Sequence, residues 1–137
     1  MKTLTLFSII FISCSLPAQL KIKLDEQIDT IMPKVVEWRH DIHQYPELGN
    51  REFRTSKKIE EHLVSLGIEV ETKIAYTGLV GLIRGGKPGP TIALRADMDA
   101  LPVEEKTGLP YASKVRTTYL GNDVGVMHAC GHDAHVA

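Results

Sequence analysis

The sequence contains only two cysteines, Cys14 and Cys130, among its 137 residues. This excludes the disulfide framework that stabilises many small exported domains. Neither sign of charge dominates, because the sequence has 16 lysines and arginines and 17 aspartates and glutamates, which gives a formal net charge of −1. The balance gives no electrostatic reason to expect nucleic acid or an anionic membrane as partner. Internal repeats and low-complexity segments are missing too, so the length and the hydrophobic content of 43% indicate one globular domain.

Long apolar runs are confined to the N-terminus, where residues 4–16 follow an early lysine. A basic start, about a dozen apolar residues and the small Ala18 are typical of a secretory signal peptide, which we predict over residues 1–18. Serines, a cysteine and a proline interrupt the run too early for a stable membrane span. The sequence therefore predicts an exported protein, periplasmic or extracellular, with residues 19–137 as its mature part. A lipoprotein acylated at Cys14 is the alternative.

Apolar spacing predicts two helices in the first half of the chain. Apolar residues recur at helical spacing from Leu24 to about Gln44. Pro33 lies inside this pattern, so the helix either begins near Met32 or bends at the proline. A second helix is predicted from Thr55 to Leu66, because Gly67 follows as a stop signal.

The period then changes to the alternation of strands. Three strands are predicted, over residues 68–74, 79–84 and 91–96. Glycines and prolines at 85–90 predict a hairpin turn between the last two. Thr91–Leu94 is nearly all apolar, as expected of a central strand covered on both faces. Residues 101–127 are predicted as loop, and a helix is predicted to open at Asp133.

A cluster of potential metal ligands lies near the end of the sequence. Residues 127–135 hold three histidines, a cysteine and a carboxylate. Thiolate and imidazole are the usual ligands of zinc and similar ions, and the one glycine between Cys130 and His132 allows a sharp turn. Metal ligation also gives an unpaired exported thiol a reason to persist. We predict Cys130 and His132 as ligands, with His128 and His135 in supporting or structural roles.

Two aspartates follow the most apolar predicted strand directly. If that strand continues, Asp97 and Asp99 point to the same side, because side chains alternate along a strand. Ligands of open α/β sheets gather at such strand ends, although the pair could also serve a turn before Pro102. Together with Cys130 and His132, the carboxylates suit zinc, manganese or cobalt and could bring the pKa of a bound water toward neutrality.

An earlier His40-x-x-His43 pair, followed by Glu47 and Glu52, also has ligand-like spacing. Its histidines lie on a predicted helix, and Pro46 breaks the geometry before Glu47. We interpret this group as structural, since helix-face histidines usually find ordinary hydrogen-bond partners.

Four motifs occur in order along the chain. They are Trp38–Leu48, Arg95–Pro102, Glu105–Ser113 and His128–His135. The series resembles the metal-dependent amidohydrolases of the aminoacylase and carboxypeptidase G superfamily. Within it, the nearest branch contains hippurate hydrolases, N-acyl-amino-acid amidohydrolases and hydrolases of auxin–amino-acid conjugates. The resemblance covers about residues 28–137.

The resemblance implies an α/β fold, the N-terminal portion of a zinc-peptidase-like catalytic domain with a mixed β-sheet flanked by helices. It implies two divalent ions (manganese, zinc or cobalt) and an inserted smaller domain through which the complete protein forms a homodimer. Cys130 and His132 match the first two metal ligands, and Asp99 matches the aspartate that supports the catalytic centre. Asp97 stands where related branches place a metal-binding histidine. The implied reaction is hydrolysis of the amide bond of an N-acyl amino acid or small peptide by a metal-activated water.

The sequence ends before the general-base glutamate and the later ligands of that family. We therefore expect residues 19–137 to be the N-terminal portion of a longer enzyme, without its inserted domain and inactive alone. Two rival functions remain. One is a thiol hydrolase with Cys130 as nucleophile and His128 or His132 as base. The other is an exported Cys/His metal-binding module without catalysis.

Overall fold

The computed structural model describes residues 16–137, with side chains from Lys21 onward. The described residues divide into two units, one that ends at Pro33 and one over Lys34–Ala137. Seven elements follow one another: α1 (Leu16–Gln44), α2 (Phe53–Ser65), β1 (Glu69–Ile74), β2 (Gly78–Leu82), β3 (Arg116–Tyr119), β4 (Asn122–Gly125) and α3 (His132–Val136). Within residues 16–137 no helix is both long and apolar enough to cross a membrane.

Helix α1 begins earlier than its apolar spacing predicts. It starts at Leu16, passes Pro33 and ends at Gln44, so the prediction of a start near Met32 is wrong. A proline removes the hydrogen bond to the carbonyl four residues before it, here that of Asp29. Asp29 is exposed, and water can hydrogen-bond to this carbonyl. The predicted signal peptide lies largely outside the described residues, as does Cys14, so the signal peptide and the acylation of Cys14 stay predictions.

Helix α2 is capped by a side chain from the preceding loop. The carboxylate of Glu47 accepts hydrogen bonds from the backbone N–H groups of Arg54, at 3.0 Å, and Thr55, at 2.8 Å. A carboxylate at this end also matches the positive pole of the helix dipole. The helix begins two residues before its predicted start. Gly67, with a φ of 75°, follows its end as predicted.

Two of the three predicted strands form the first hairpin. Strands β1 and β2 pair antiparallel, from Glu69 opposite Leu82 to Ile74 opposite Gly78. The register shifts between Thr72 and Ile74, where Lys73 adopts a φ of 63°. The strand predictions for residues 68–74 and 79–84 are therefore confirmed, whereas the pairing of these two strands with each other was not predicted.

The third predicted strand is not formed, and the prediction for residues 91–96 is wrong. This segment has no regular structure, and Ile92 and Leu94 are 81% and 95% exposed. No neighbouring strand among the described residues supplies the hydrogen bonds that a strand needs. The turn at 85–90 consequently joins no hairpin, because β2 pairs with β1 instead.

A second hairpin lies within the region that was predicted as loop. Strands β3 and β4 pair antiparallel from Arg116 opposite Gly125 to Tyr119 opposite Asn122. Leu120 and Gly121 join them with φ angles of 49° and 81°, the positive values of the tight turn that suits twisted hairpins. Each strand has four mostly polar residues, too short and too polar for apolar alternation to reveal them.

The core of the second unit brings distant segments together. Leu48 forms an isolated parallel β-bridge with Ala100, and Leu101 forms an isolated antiparallel β-bridge with Met127. Leu48, Ala100 and Val126 form a buried cluster with the partly buried Val115 against it. These contacts place the residues just before Ala100 and just after Met127 side by side, which is where the predicted ligands lie.

Candidate metal centre

The turn before α3 has the sharp geometry that its glycine predicts. Gly131 adopts a φ of 78° and precedes His132, the first residue of α3. Residues with a Cβ rarely adopt this left-handed conformation, so glycine is the residue that fits here. His132 and His135 lie three residues apart on this short helix, with their ring centroids 5.2 Å apart.

One ring nitrogen of His132 is held by Asp99. Nδ1 lies 2.9 Å from the main-chain oxygen of Asp99 and 3.0 Å from its Oδ1 atom. Both atoms are acceptors, so Nδ1 carries the proton and donates. The lone pair of Nε2 is then free, which is the usual arrangement of a metal-binding histidine oriented by a carbonyl or carboxylate.

Asp97 and His135 complete a group of three potential ligands with His132. One ligand atom from each of the three residues lies within 4.8 Å of the others, and Asp97 Oδ2 is 4.0 Å from His132 Nε2. Since Zn–N and Zn–O bonds are about 2.1 Å long, two ligands of one ion lie at most about 4 Å apart. Small side-chain movements would therefore let one ion contact all three.

The charge of Asp97 favours a cation at this position. A hydrogen bond from Arg95, 2.7 Å long, holds the pKa of Asp97 below its usual range. Desolvation opposes this shift, whereas His132 and His135 act in the same direction as Arg95. Asp97 is thus a carboxylate at neutral pH, and two imidazoles with a carboxylate suit zinc, manganese or cobalt.

Cys130 lies in the same turn but outside this group of three. Its thiol is free and exposed. The structure therefore brings His132 together with Asp97 and His135, not with Cys130. The assignment of Cys130 and His132 as ligands stays a prediction, as does the supporting role of Asp99, whose contacts with His132 fit that role.

Behind the turn lies a buried group of charged residues. Asp133 is 1% exposed and accepts from His43 Nδ1 at 3.0 Å and from Arg39 Nε at 3.1 Å. Burial alone would raise the pKa of Asp133, but the hydrogen bonds from His43 and Arg39 outweigh it and hold that pKa below its usual range. The Nε2 atom of His43 lies 3.2 Å from Oε1 of Glu105, whose side chain is fully buried.

His128 is buried on the same side of the turn without a hydrogen bond. Within the part of the chain that the structure describes, neither of its ring nitrogens has a partner. Burial lowers the pKa of His128, which makes it neutral at physiological pH, and the attraction of Asp133 only partly opposes the shift. These features fit the supporting role predicted for it.

The contacts of the earlier histidine pair fit the structural interpretation. The His40 ring stacks on Tyr111 with 3.7 Å between ring centroids, and His43 joins the buried charged group. Glu47 caps α2, and Glu52 accepts a hydrogen bond from Thr77.

Sequence reasoning missed the partnership of His43, Asp133 and Glu105. A signal was available, because both acids belong to the four motifs: Asp133 directly follows His132, and Glu105 is the first residue of the third motif. Their long separation along the chain hid the contact.

The chain is similar in sequence to several known proteins. Residues 93–137 match the sequence profile of the peptidase family M20/M25/M40. Over 116 residues the chain is 53% identical to the thermostable carboxypeptidase 1 of Saccharolobus solfataricus, an alignment that covers 84% of this chain and 28% of that protein. The chain is similar to members of the M20/M25/M40 family. A second relative, the N-acetyl-L-cysteine deacetylase of Bacillus subtilis, is 47% identical over 110 residues, which are 80% of this chain and 24% of the deacetylase.

A solved structure of the M20 family confirms the fold class. The YXEP protein of Bacillus subtilis, described as a dinuclear metal binding peptidase, superposes with a TM-score of 0.68 at 42% identity. The match covers 79% of this chain and 28% of that one. The chain therefore spans about a quarter of the length of these relatives. The predicted α/β class and the family resemblance are both confirmed.

Proposed function

We propose that the protein is an exported amidohydrolase that uses divalent ions to hydrolyse N-acyl amino acids or short peptides. The names of its relatives support this reaction, because a carboxypeptidase and a deacetylase both cleave an amide bond to an amino acid. The dinuclear M20 peptidase supports divalent ions, two per complete site, with manganese, zinc or cobalt as candidates. The chain described here supplies one side of that site.

The arrangement around His132 is the observation that carries the proposal. A structural histidine usually has both ring nitrogens satisfied, whereas His132 has Nδ1 fixed by Asp99 and Nε2 directed toward Asp97. A carboxylate and a second imidazole stand within reach of that free nitrogen. This is the donor set and orientation that a divalent ion requires.

The residues of this chain then have separate roles. Asp97, His132 and His135 would hold an ion, and the exposed Cys130 thiol can join them as a thiolate when the turn adjusts. Asp99 orients His132 through Nδ1. When bound, a divalent ion supplies a Lewis acid for the amide carbonyl and hydroxide near neutral pH.

Location and assembly form part of the proposal. Residues 1–18 would direct export to the periplasm or the extracellular space, with acylation at Cys14 as the alternative. The complete protein would form a homodimer.

Metal removal and reconstitution of the full-length protein test the function. We expect a chelator to abolish hydrolysis of N-acetyl amino acids, N-benzoylglycine or dipeptides, and manganese, zinc or cobalt to restore it. Asp97→Asn should weaken Co²⁺ binding measured by visible absorption, because the ion loses an anionic ligand. Asp123→Asn is the matched control, since Asp123 is an exposed aspartate of the second hairpin.

The two rival functions give different results in the same experiment. A thiol hydrolase would stay active after chelation and lose activity on alkylation of Cys130. A binding module would bind Co²⁺ but hydrolyse none of the substrates. Either result would overturn the proposed function.

A further inference from the structure

Asp133 is the point at which α3 is attached to α1. It directly follows His132, and its Oδ2 atom accepts from two side chains of α1, His43 and Arg39. Asp133 is buried to 99%, whereas the Arg39 side chain is about half exposed. A buried carboxylate with two charge-assisted hydrogen bonds holds its position more firmly than an exposed one.

His43 is itself held on both sides. Its Nδ1 atom faces Asp133 and its Nε2 atom faces Glu105, which is fixed in turn by the backbone N–H of Ser113. The Tyr111 ring meets the His43 ring edge-on, with centroids 5.7 Å apart. The imidazole therefore has one orientation, and this orientation fixes the direction of its hydrogen bond to Asp133.

Two segments hold α3 through hydrogen bonds from opposite directions. Asp99 holds the ring of His132, and His43 with Arg39 holds the adjacent Asp133. A helix of five residues has little stability of its own, so such tertiary contacts decide where it lies. The distance from His132 and His135 to Asp97 depends on where α3 lies.

We infer that His43 is a positioning residue for the metal centre. By donating from Nδ1 to Asp133, it fixes α3 and so holds the Nε2 atom of His132 toward Asp97, where the ion would bind. The inference rests on the proposed function, since it takes His132 as a metal ligand. His43 itself contacts neither the ion nor the substrate.

Two amide variants separate the hydrogen bonds of the ring. In His43→Asn the side-chain NH₂ lies near the former Nδ1 position and can still donate to Asp133. In His43→Gln it lies near the former Nε2 position and can donate only to Glu105. Both variants remove the imidazole, so they serve as matched controls for lost ring volume.

The readout is Co²⁺ affinity of the full-length protein, measured by visible absorption. We expect His43→Gln to weaken binding about tenfold and to alter the spectrum, as is typical when a residue that orients a ligand is lost. The affinity of His43→Asn should stay close to that of the parent. Arg39→Met, at a half-exposed site that tolerates substitution, should give a smaller loss and provides the test if His43→Gln does not fold.

The outcomes distinguish the inference from the function on which it rests. Equal weakening in both amide variants would show that the imidazole acts by filling space, and unchanged affinity in His43→Gln and Arg39→Met would show that α3 needs no such anchor. Either result overturns the positioning role while the parent still hydrolyses its substrate. A parent that neither binds Co²⁺ nor hydrolyses N-acyl amino acids would overturn both proposals.

Discussion

The chain contains two His-x-x-His sequences on helices, and their surroundings differ. His40 and His43 of α1 have their rings occupied, one by stacking on Tyr111 and the other by two carboxylates. His132 of α3 has one nitrogen fixed and the other free, and His135 is exposed. Equal spacing therefore does not identify a metal ligand. A free ring nitrogen beside a carboxylate distinguishes the candidate ligand, and only the folded structure shows which of the two pairs contains such a nitrogen.

Removing one histidine from each pair should give the largest contrast. We expect His132→Ala to weaken Co²⁺ binding of the full-length protein by more than about 100-fold, because loss of a ligand exceeds the 10- to 100-fold cost of losing a residue that orients one. His40→Ala should bind as the parent does. Isothermal titration of the metal-free proteins measures both, and similar affinities for the two variants would remove the distinction.

Within the first pair, the loss of His43 should lower the free energy of unfolding more than the loss of His40. His43→Ala leaves the buried carboxylates of Asp133 and Glu105 without their shared partner, which should cost about 3 kcal/mol of unfolding free energy. His40→Ala loses one stacked ring and should cost about 1 kcal/mol. Urea unfolding of the metal-free proteins gives both values. A smaller loss for His43→Ala than for His40→Ala would contradict the structural role of the buried group.

The smallest expected effect is a dependence of stability on acid pH. Burial would raise the pKa of Glu105, but hydrogen bonds from Thr107, Ser113 and His43 outweigh it, so the pKa in the folded state lies below the ordinary value of 4.5. A lowered carboxyl pKa stabilises the fold above that ordinary value, and the contribution disappears as the pH falls through the folded-state pKa. Stability should therefore fall below about pH 4.5.

Two neighbouring variants check this dependence. Glu105→Gln should show a weaker loss of stability between neutral and acid pH than the parent in urea unfolding. Glu104→Gln removes an exposed carboxylate next to it and should keep the dependence of the parent. The same pH dependence in the parent and in Glu105→Gln would show that Glu105 is not its source.

Local patterns predicted the elements that depend on local interactions. The helices, the first two strands and the glycine turn at Gly131 all follow from short stretches of sequence. Residues 91–96 have the composition of a central strand, yet a strand needs neighbours, and the described residues supply none. The contact of His43 with Asp133 joins distant segments and leaves no local signal. Spacing and composition therefore singled out His132 as a candidate ligand, but not the contacts that hold it in place.

The two β-bridges formed by Ala100 and Leu101 affect the order in which the parts of the protein fold. Leu48, Ala100, Leu101 and Met127 come from three segments that are far apart along the chain, and they meet immediately beside the candidate ligands. Closing two long loops costs chain entropy before any of these contacts is gained. The contacts within α1, α2 and the two hairpins are local, so these elements need no such loop closure. We therefore expect the metal centre to assemble in the last step of folding, so that a nascent chain acquires it only after Met127 has been synthesised.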